Sequence, residues 1–357
     1  MTVQRNFVAA MILIAVGTSS FADSIATHER TVTKLAEGIY EIRHPDAPDT
    51  FPQGNTTVII GDRGVFVVDS CLLPSSARED IAQIRKWTDK PVMFLLNTHW
   101  HFDHTLGNAT YAAAFPGLQI IAHAHTRQEI AEFNPGAVER YPQRRERFQK
   151  VLESGKDENG KPLSEADRLD YQRSLAGLDG VLAEFKSAKQ LPPNVSYDHE
   201  MTVDLGNREV QIKFLGRANT AGDSVVYLPK EKIVMTGDIL DHPVPYMFGG
   251  FPADFPKTLR ALRELDATTI VPGHGDVLHD KSYIDQVIAM MESANAEVRS
   301  EILQGKRLNE VQELAPKALN EDALKQQFGG SDKDNRDFFE QSFEGMIKTA
   351  FNQLSAR

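Results

Sequence analysis

The chain has 357 residues, 41% hydrophobic and 25% charged, a globular balance that excludes a disordered or fibrous protein and suits one large domain or two smaller ones. Its formal charge of −11 at pH 7 argues against nucleic acid and anionic lipid as partners. A lone cysteine, Cys71, forbids an intramolecular disulfide and reads as a small buried hydrophobe.

Residues 1–22, MTVQRNFVAAMILIAVGTSSFA, place Arg5 ahead of an apolar stretch from Phe7 to Val16, with Ser20 and Ala22 flanking Phe21. That pattern predicts a signal peptide cleaved before Asp23 and a periplasmic or secreted mature chain. The apolar run is well short of the roughly 20 residues a spanning helix needs, and no later stretch is long and apolar enough to cross a bilayer, so no stable membrane span is expected.

From Val32 the chain alternates like a β-rich half. TTVIIGDRGVFVVDS, residues 56–70, predicts a hairpin turning at Gly61-Asp62-Arg63-Gly64. A helix follows from Ser75 to Trp87, and PVMFLLNTHW is a continuous apolar strand. Next come a helix from Leu106 to Ala114, a strand over 118–123 and a helix from Thr126 to Phe133. Residues 134–200 break this rhythm with charged and Gln-rich helical spacing and read as a helical insertion, either a lid or a solvated hairpin. MTVDL, REVQIKFLG, SVVYLP and KIVMTGD resume the strands, followed by a helix from Phe255 to Leu265 and the strand TTIVPGHGD. Residues 281–357 read as amphipathic helices, an extension that would pack on the domain of residues 23–280 or join two copies as a homo-oligomer.

The chemistry is concentrated in NTHWHFDHTLGN, residues 97–108, which sets His99, His101, Asp103 and His104 within six positions. A core would have to give each ring nitrogen a partner, whereas one metal ion uses them all. Asp69, Asp238 and His274 stand at or just beyond the ends of other strands, where distant positions converge on one site. Gly237, Gly273 and Gly275 fit tight turns that allow close backbone approach. Trp100, His242 and Tyr246 are candidate walls of a pocket for a small organic molecule. His123 and His125 are read as structural or pocket-wall groups, and His28, His44, His199 and His279 as surface residues.

The set of Asp69, the His-x-His-x-Asp-His cluster, Asp238 in TGD and His274 in GHG resembles the metallo-β-lactamase superfamily. The resemblance implies an α/β fold, a four-layer αββα sandwich. It also implies one or two zinc ions, with another divalent metal as an alternative. By the family pattern His99 and His101 serve a first ion and Asp103, His104 and His274 a second. Asp238 bridges the two, and Asp69 orients a histidine ring. Asp103 also acts in catalysis, by positioning the second ion and the nucleophile. One position departs: in GRANTAGD, residues 216–223, Asn219 stands where a third histidine is expected. Either Asn219 is a weak ligand, or it only holds the loop while Arg217 or water takes the place. The implied activity is hydrolysis of a small ester, lactone, thioester or β-lactam by a metal-bound hydroxide, and His101, where oxygen-reducing diiron relatives carry glutamate, argues against redox chemistry. The alternative is a one-metal periplasmic binding or accessory protein with weak or no hydrolase activity.

Overall fold

The computed structural model describes residues 29–157 and 160–356. The expected signal peptide and His28 lie outside the described residues. The first sheet takes its strands in chain order: β1 (Thr31–Ala36), β2 (Ile39–Arg43), β3 (Thr56–Ile60), β4 (Val65–Val68), β5 (Val92–Leu96), β6 (Gln119–His123) and β7 (Val195–Tyr197). β1 to β4 pair antiparallel and β4 to β7 parallel. The expected hairpin closes through a 2.9 Å bond from Gly61 N–H to the Gly64 carbonyl.

The second sheet holds β8 (Glu200–Asp204), β9 (Glu209–Phe214), β10 (Ser224–Leu228), β11 (Ile233–Asp241) and β12 (Thr269–His274), in the order β12-β11-β10-β9-β8. Only β11 and β12 among them run parallel. Every residue of β11 is buried, as befits a strand covered on both faces.

Alternation along the strands builds the layers. Ile59 and Phe66 of the first sheet meet Ile212, Val226 and Met235 of the second in the central core. The intervening Val58 and Val67 face outward against Ile81 and Ile84 of α1 (Pro74–Trp87) and Tyr111 of α2 (Asn108–Ala114). On the far side Val225 and Val234 pack with Leu259 of α6 (Phe255–Glu264), Val287 of α7 (Ser282–Leu303), Val311 of α8 (Leu308–Ala318), Phe328 of α9 (Glu321–Gly329) and Phe343 of α10 (Lys333–Ser355). The result is the expected αββα sandwich, and the C-terminal helices form its fourth layer.

The insertion differs from its sequence reading in two ways. The helix expected to stop at Phe133 continues as α3 (Ala124–Arg140) through Pro135. Asn134 Nδ2 donates to Thr105 Oγ1 at 2.9 Å and the Phe133 ring packs on Trp100, so tertiary contacts override the break. At the other end β7 pairs with β6 inside the span expected to be helical. Between them α4 (Arg144–Ser154) and α5 (Glu165–Ser187) form a hairpin that is not free in solvent. Leu178, Val181 and Phe185 of α5 pack with Leu72 and Leu106, and Asp167 pairs with Lys333 Nζ of α10 at 2.8 Å. No helix among the described residues is long and apolar enough to cross a membrane.

Candidate metal centre

β5 ends at Leu96 and the chain bends into a single 3₁₀ turn, Phe102–His104, that carries the last two members of the cluster. Its shape is fixed from behind: Ser70 N–H and Asn97 Nδ2 both donate to the His104 carbonyl, at 2.9 and 3.3 Å. The Phe102 ring beside them packs against Phe51, Tyr141 and Phe185, so the insertion supports the turn.

Asp238 of β11 lies at the centre of the site, buried, with its two oxygens facing two histidine pairs. Oδ2 is 3.0 Å from His99 Nε2 and 3.5 Å from His101 Nδ1. Oδ1 is 3.0 Å from His104 Nε2 and 3.8 Å from His274 Nε2. Asp103 Oδ2 joins the second pair, 3.2 Å from His274 Nε2. Asn219 Nδ2 stands 3.4 Å from Asp238 Oδ2, on the side of the first pair. Asp69 accepts from Thr98 N–H and Thr98 Oγ1 at 2.8 and 2.7 Å and meets His104 Nδ1 at 3.0 Å.

The electrostatics follow from carboxylates and imidazoles sharing a buried space. Burial disfavours charge on Asp103, yet His104 and His274 outweigh it and bring its carboxyl down to about 2. Asp238 is likewise held well below the carboxylate range, against its burial, by His104 and His99. Burial opposes protonation of His104 and His274, but neighbouring carboxylates prevail and raise both, His274 to about 9. For His99 burial wins and the ring is held below its ordinary value.

The donor set fits a metal. His99 Nε2 and Asp238 Oδ1 are buried with no aligned hydrogen bond, and such atoms need a partner. Nε2 of His104 and Nε2 of His274 face each other at 3.1 Å, which requires either a proton on one ring or a cation that takes both lone pairs. Two candidate ligand groups, His99-His104-Asp238 and Asp103-His104-His274, have ligand atoms within 4.8 Å of one another.

A residue that the sequence did not single out also reaches the centre. Asp241, at the end of β11, accepts from His274 N–H at 3.1 Å and keeps its other oxygen buried without a partner. It shares the run TGDILD with Asp238 and forms a third ligand group with Asp238 and His274, but a bulge in β11 sets its direction, which the sequence does not reveal.

Several expectations are corrected or placed. Arg217 does not substitute for a ligand, because its guanidinium pairs with Asp254 and lies over the Phe251 ring, 4.3 Å from the centroid. His44 is no surface residue: it is 3% exposed and pairs with Asp80. His123 and His125 line a separate cavity of about 540 Å³ with His199, and His123 stacks on Phe214. The His242 ring packs edge-on against Tyr283, while the His242 backbone N–H donates to the His274 carbonyl at 3.0 Å. Trp100 and Tyr246 do flank the centre, with ring centroids 4.6 and 5.6 Å from that of His101.

A histidine and aspartate cluster at the strand ends of an αββα sandwich is a donor set suited to divalent metal ions. The metallo-β-lactamase superfamily matches residues 49–274, more than half of the chain, and the chain belongs to that superfamily. It is 23% identical over 253 residues to a linear primary-alkylsulfatase of Pseudomonas sp., covering 68% of this chain and 46% of that protein. It is 25% identical over 224 residues to the 2,4-dinitroanisole O-demethylase subunit alpha of Nocardioides sp., covering 61% of this chain and 52% of that protein. The chain therefore spans about half the length of these curated relatives. Among solved structures the sec-alkylsulfatase Pisa1 of Pseudomonas sp. superposes with a TM-score of 0.60 at 13% identity, over 90% of this chain and 50% of that one. A metallo-β-lactamase from Pontibacter korlensis superposes with a TM-score of 0.53 at 17% identity, over 74% of this chain and 99% of that one. These likenesses establish the fold.

Proposed function

We propose that this chain is an exported, zinc-dependent hydrolase that cleaves an ester-type bond in a small molecule bearing an apolar group. The observation that carries the reading is the division of the Asp238 carboxylate between two histidine pairs, an arrangement suited to two ions. His99 and His101, with the Asn219 amide, would hold one ion. Asp103, His104 and His274 would hold the other, and Asp238 would touch both. A divalent cation there supplies Lewis acidity and acidifies water to a pKa of about 7. Asp103, kept ionised by His104 and His274, would accept a hydrogen bond from the attacking water, and Asp69 would fix the His104 ring. Export is supported by the leader-like residues 1–22.

The substrate class is supported by a row of rings that leads away from the centre. Phe133 meets Trp100, Trp100 meets His101, and beyond it come Tyr246, Phe248 and Phe338, each centroid 4.6 to 5.6 Å from the next. Phe133, Phe248 and Phe338 are exposed, and a contiguous apolar strip beside a polar centre suits an apolar ligand group. The relatives named as alkylsulfatases add sulfate esters to carboxylic esters, lactones, thioesters and β-lactams as candidates.

The test loads metal-free protein with zinc, counts ions by elemental mass spectrometry and screens those five bond types with alkyl and aryl groups. Two ions per chain beyond any that a folded Asp238→Ala retains, and turnover that Asp103→Ala abolishes without changing the circular dichroism spectrum, are expected. Turnover that survives Asp103→Ala would overturn the hydrolase reading. One ion without turnover would favour a one-metal accessory protein, a reading that rests on the amide at Asn219.

A further inference from the structure

A second group of ligand-type side chains lies under α1, on the outer face of the first sheet and away from Asp238. His44 follows β2, Cys71 follows β4 and Asp80 sits on α1; all three side chains are buried. Their imidazole nitrogen, thiol sulfur and carboxylate oxygen lie within 4.8 Å of one another. His44 Nε2 is 3.2 Å from Asp80 Oδ2, and neither side chain has any exposed surface.

The group is incompletely satisfied. Arg30 Nη2 donates to Asp80 Oδ1 at 2.9 Å, which leaves Oδ2 facing inward toward His44. His44 Nδ1 is buried and unpartnered. The Cys71 thiol has only a 3.7 Å contact to the Leu73 carbonyl, and its backbone is held at φ 58°, a left-handed conformation that costs a non-glycine residue free energy. A simple His44–Asp80 ion pair accounts for one contact and leaves the thiol and His44 Nδ1 unexplained.

We propose that His44, Cys71 and Asp80 form a separate structural site for a zinc-class divalent cation, distinct from the centre around Asp238. Thiolate, imidazole and carboxylate are zinc's usual protein ligands, and these three, all buried, would leave one position of a tetrahedral ion for a water. On binding, the Cys71 S–H bond breaks, a sulfur–metal bond forms and the proton passes to solvent, with no change of oxidation state. Thr56 Oγ1 lies 3.2 Å from His44 Nε2 and donates to the Asp69 carbonyl at 3.4 Å, linking this site to the loop behind His104.

The chain has one cysteine, so a thiolate-to-cobalt charge-transfer absorption in the near ultraviolet can arise only here. Metal-free full-length protein is titrated with Co²⁺. Expected are a charge-transfer band that levels off at the intensity of one cobalt–thiolate bond per chain, its survival in Asp238→Ala, its loss in Cys71→Ser and a weakened titration in His44→Gln. The wild-type measurement needs no variant to fold. Absence of the band from folded wild type loaded with cobalt, or loss of the band in a folded Asp238→Ala, would overturn the proposal.

Discussion

Asp69 Oδ2 lies 3.0 Å from His104 Nδ1 and so turns the opposite ring nitrogen toward Asp238 and His274. A carboxylate behind an imidazole fixes its orientation and raises its basicity as a ligand. Asp69 is itself held at φ 60°, a conformation that asparagine also tolerates. Asp69→Asn should therefore keep the fold and weaken metal binding by about 10- to 100-fold. Competition with a coloured chelator reads this directly, and unchanged affinity would remove Asp69 from the orienting role.

Gly54 leaves room for the same ring, because a Cβ there would lie 2.3 Å from His104 Cε1. Gly54→Ala should displace His104 and cost about 1–3 kcal/mol of stability from overpacking. Urea unfolding and ion counting together test this, with loss of metal from Asp103, His104 and His274 as the expected sign. A variant with wild-type metal content and stability would show that the ring has space to move.

Asn219→His replaces an amide 3.4 Å from Asp238 Oδ2 with an imidazole. The affinity of the ion at His99 and His101 should rise about tenfold or more, since imidazole binds zinc better than an amide oxygen does. Zinc titration by calorimetry in a Cys71→Ser background separates the two ions at Asp238. No gain in the weaker one would mean that Asn219 does not limit it.

Glu41 on β2 is 2% exposed, and its burial raises the carboxyl to about 7 despite the Thr33 hydroxyl and Arg43. The folded chain therefore keeps a proton that the unfolded chain releases near 4.5, and stability falls as pH rises across that window. Glu41→Gln removes the dependence, so its stability relative to wild type should improve between pH 4.5 and 7 by at most about 3 kcal/mol. Urea unfolding at both ends checks it, and a constant difference would exclude Glu41 as the source.

The residues legible in the sequence were those whose neighbours along the chain announce them. His99 to His104 are contiguous, and Asp69, Asp238 and His274 stand near the ends of apolar runs, so pattern alone brought them together. His44 and Asp241 were hidden for different reasons. His44 sits in an unremarkable RHPD segment, and only the fold carries Asp80 of α1 to it. Asp241 depends on a bulge, and α3 on contacts from Asn134 and Phe133 that outweigh Pro135. Local propensity reads the periodic elements and misses what tertiary contact decides.

The row of rings comes from separate parts of the chain: Phe133 from α3, Tyr246 and Phe248 from the loop after β11, and Phe338 from α10. None of these four is placed among the candidate ligands. Variation can therefore act on the wall without disturbing the ions. A lineage that exchanged Phe338 or Phe133 would inherit its chemistry intact and diverge in what it consumes.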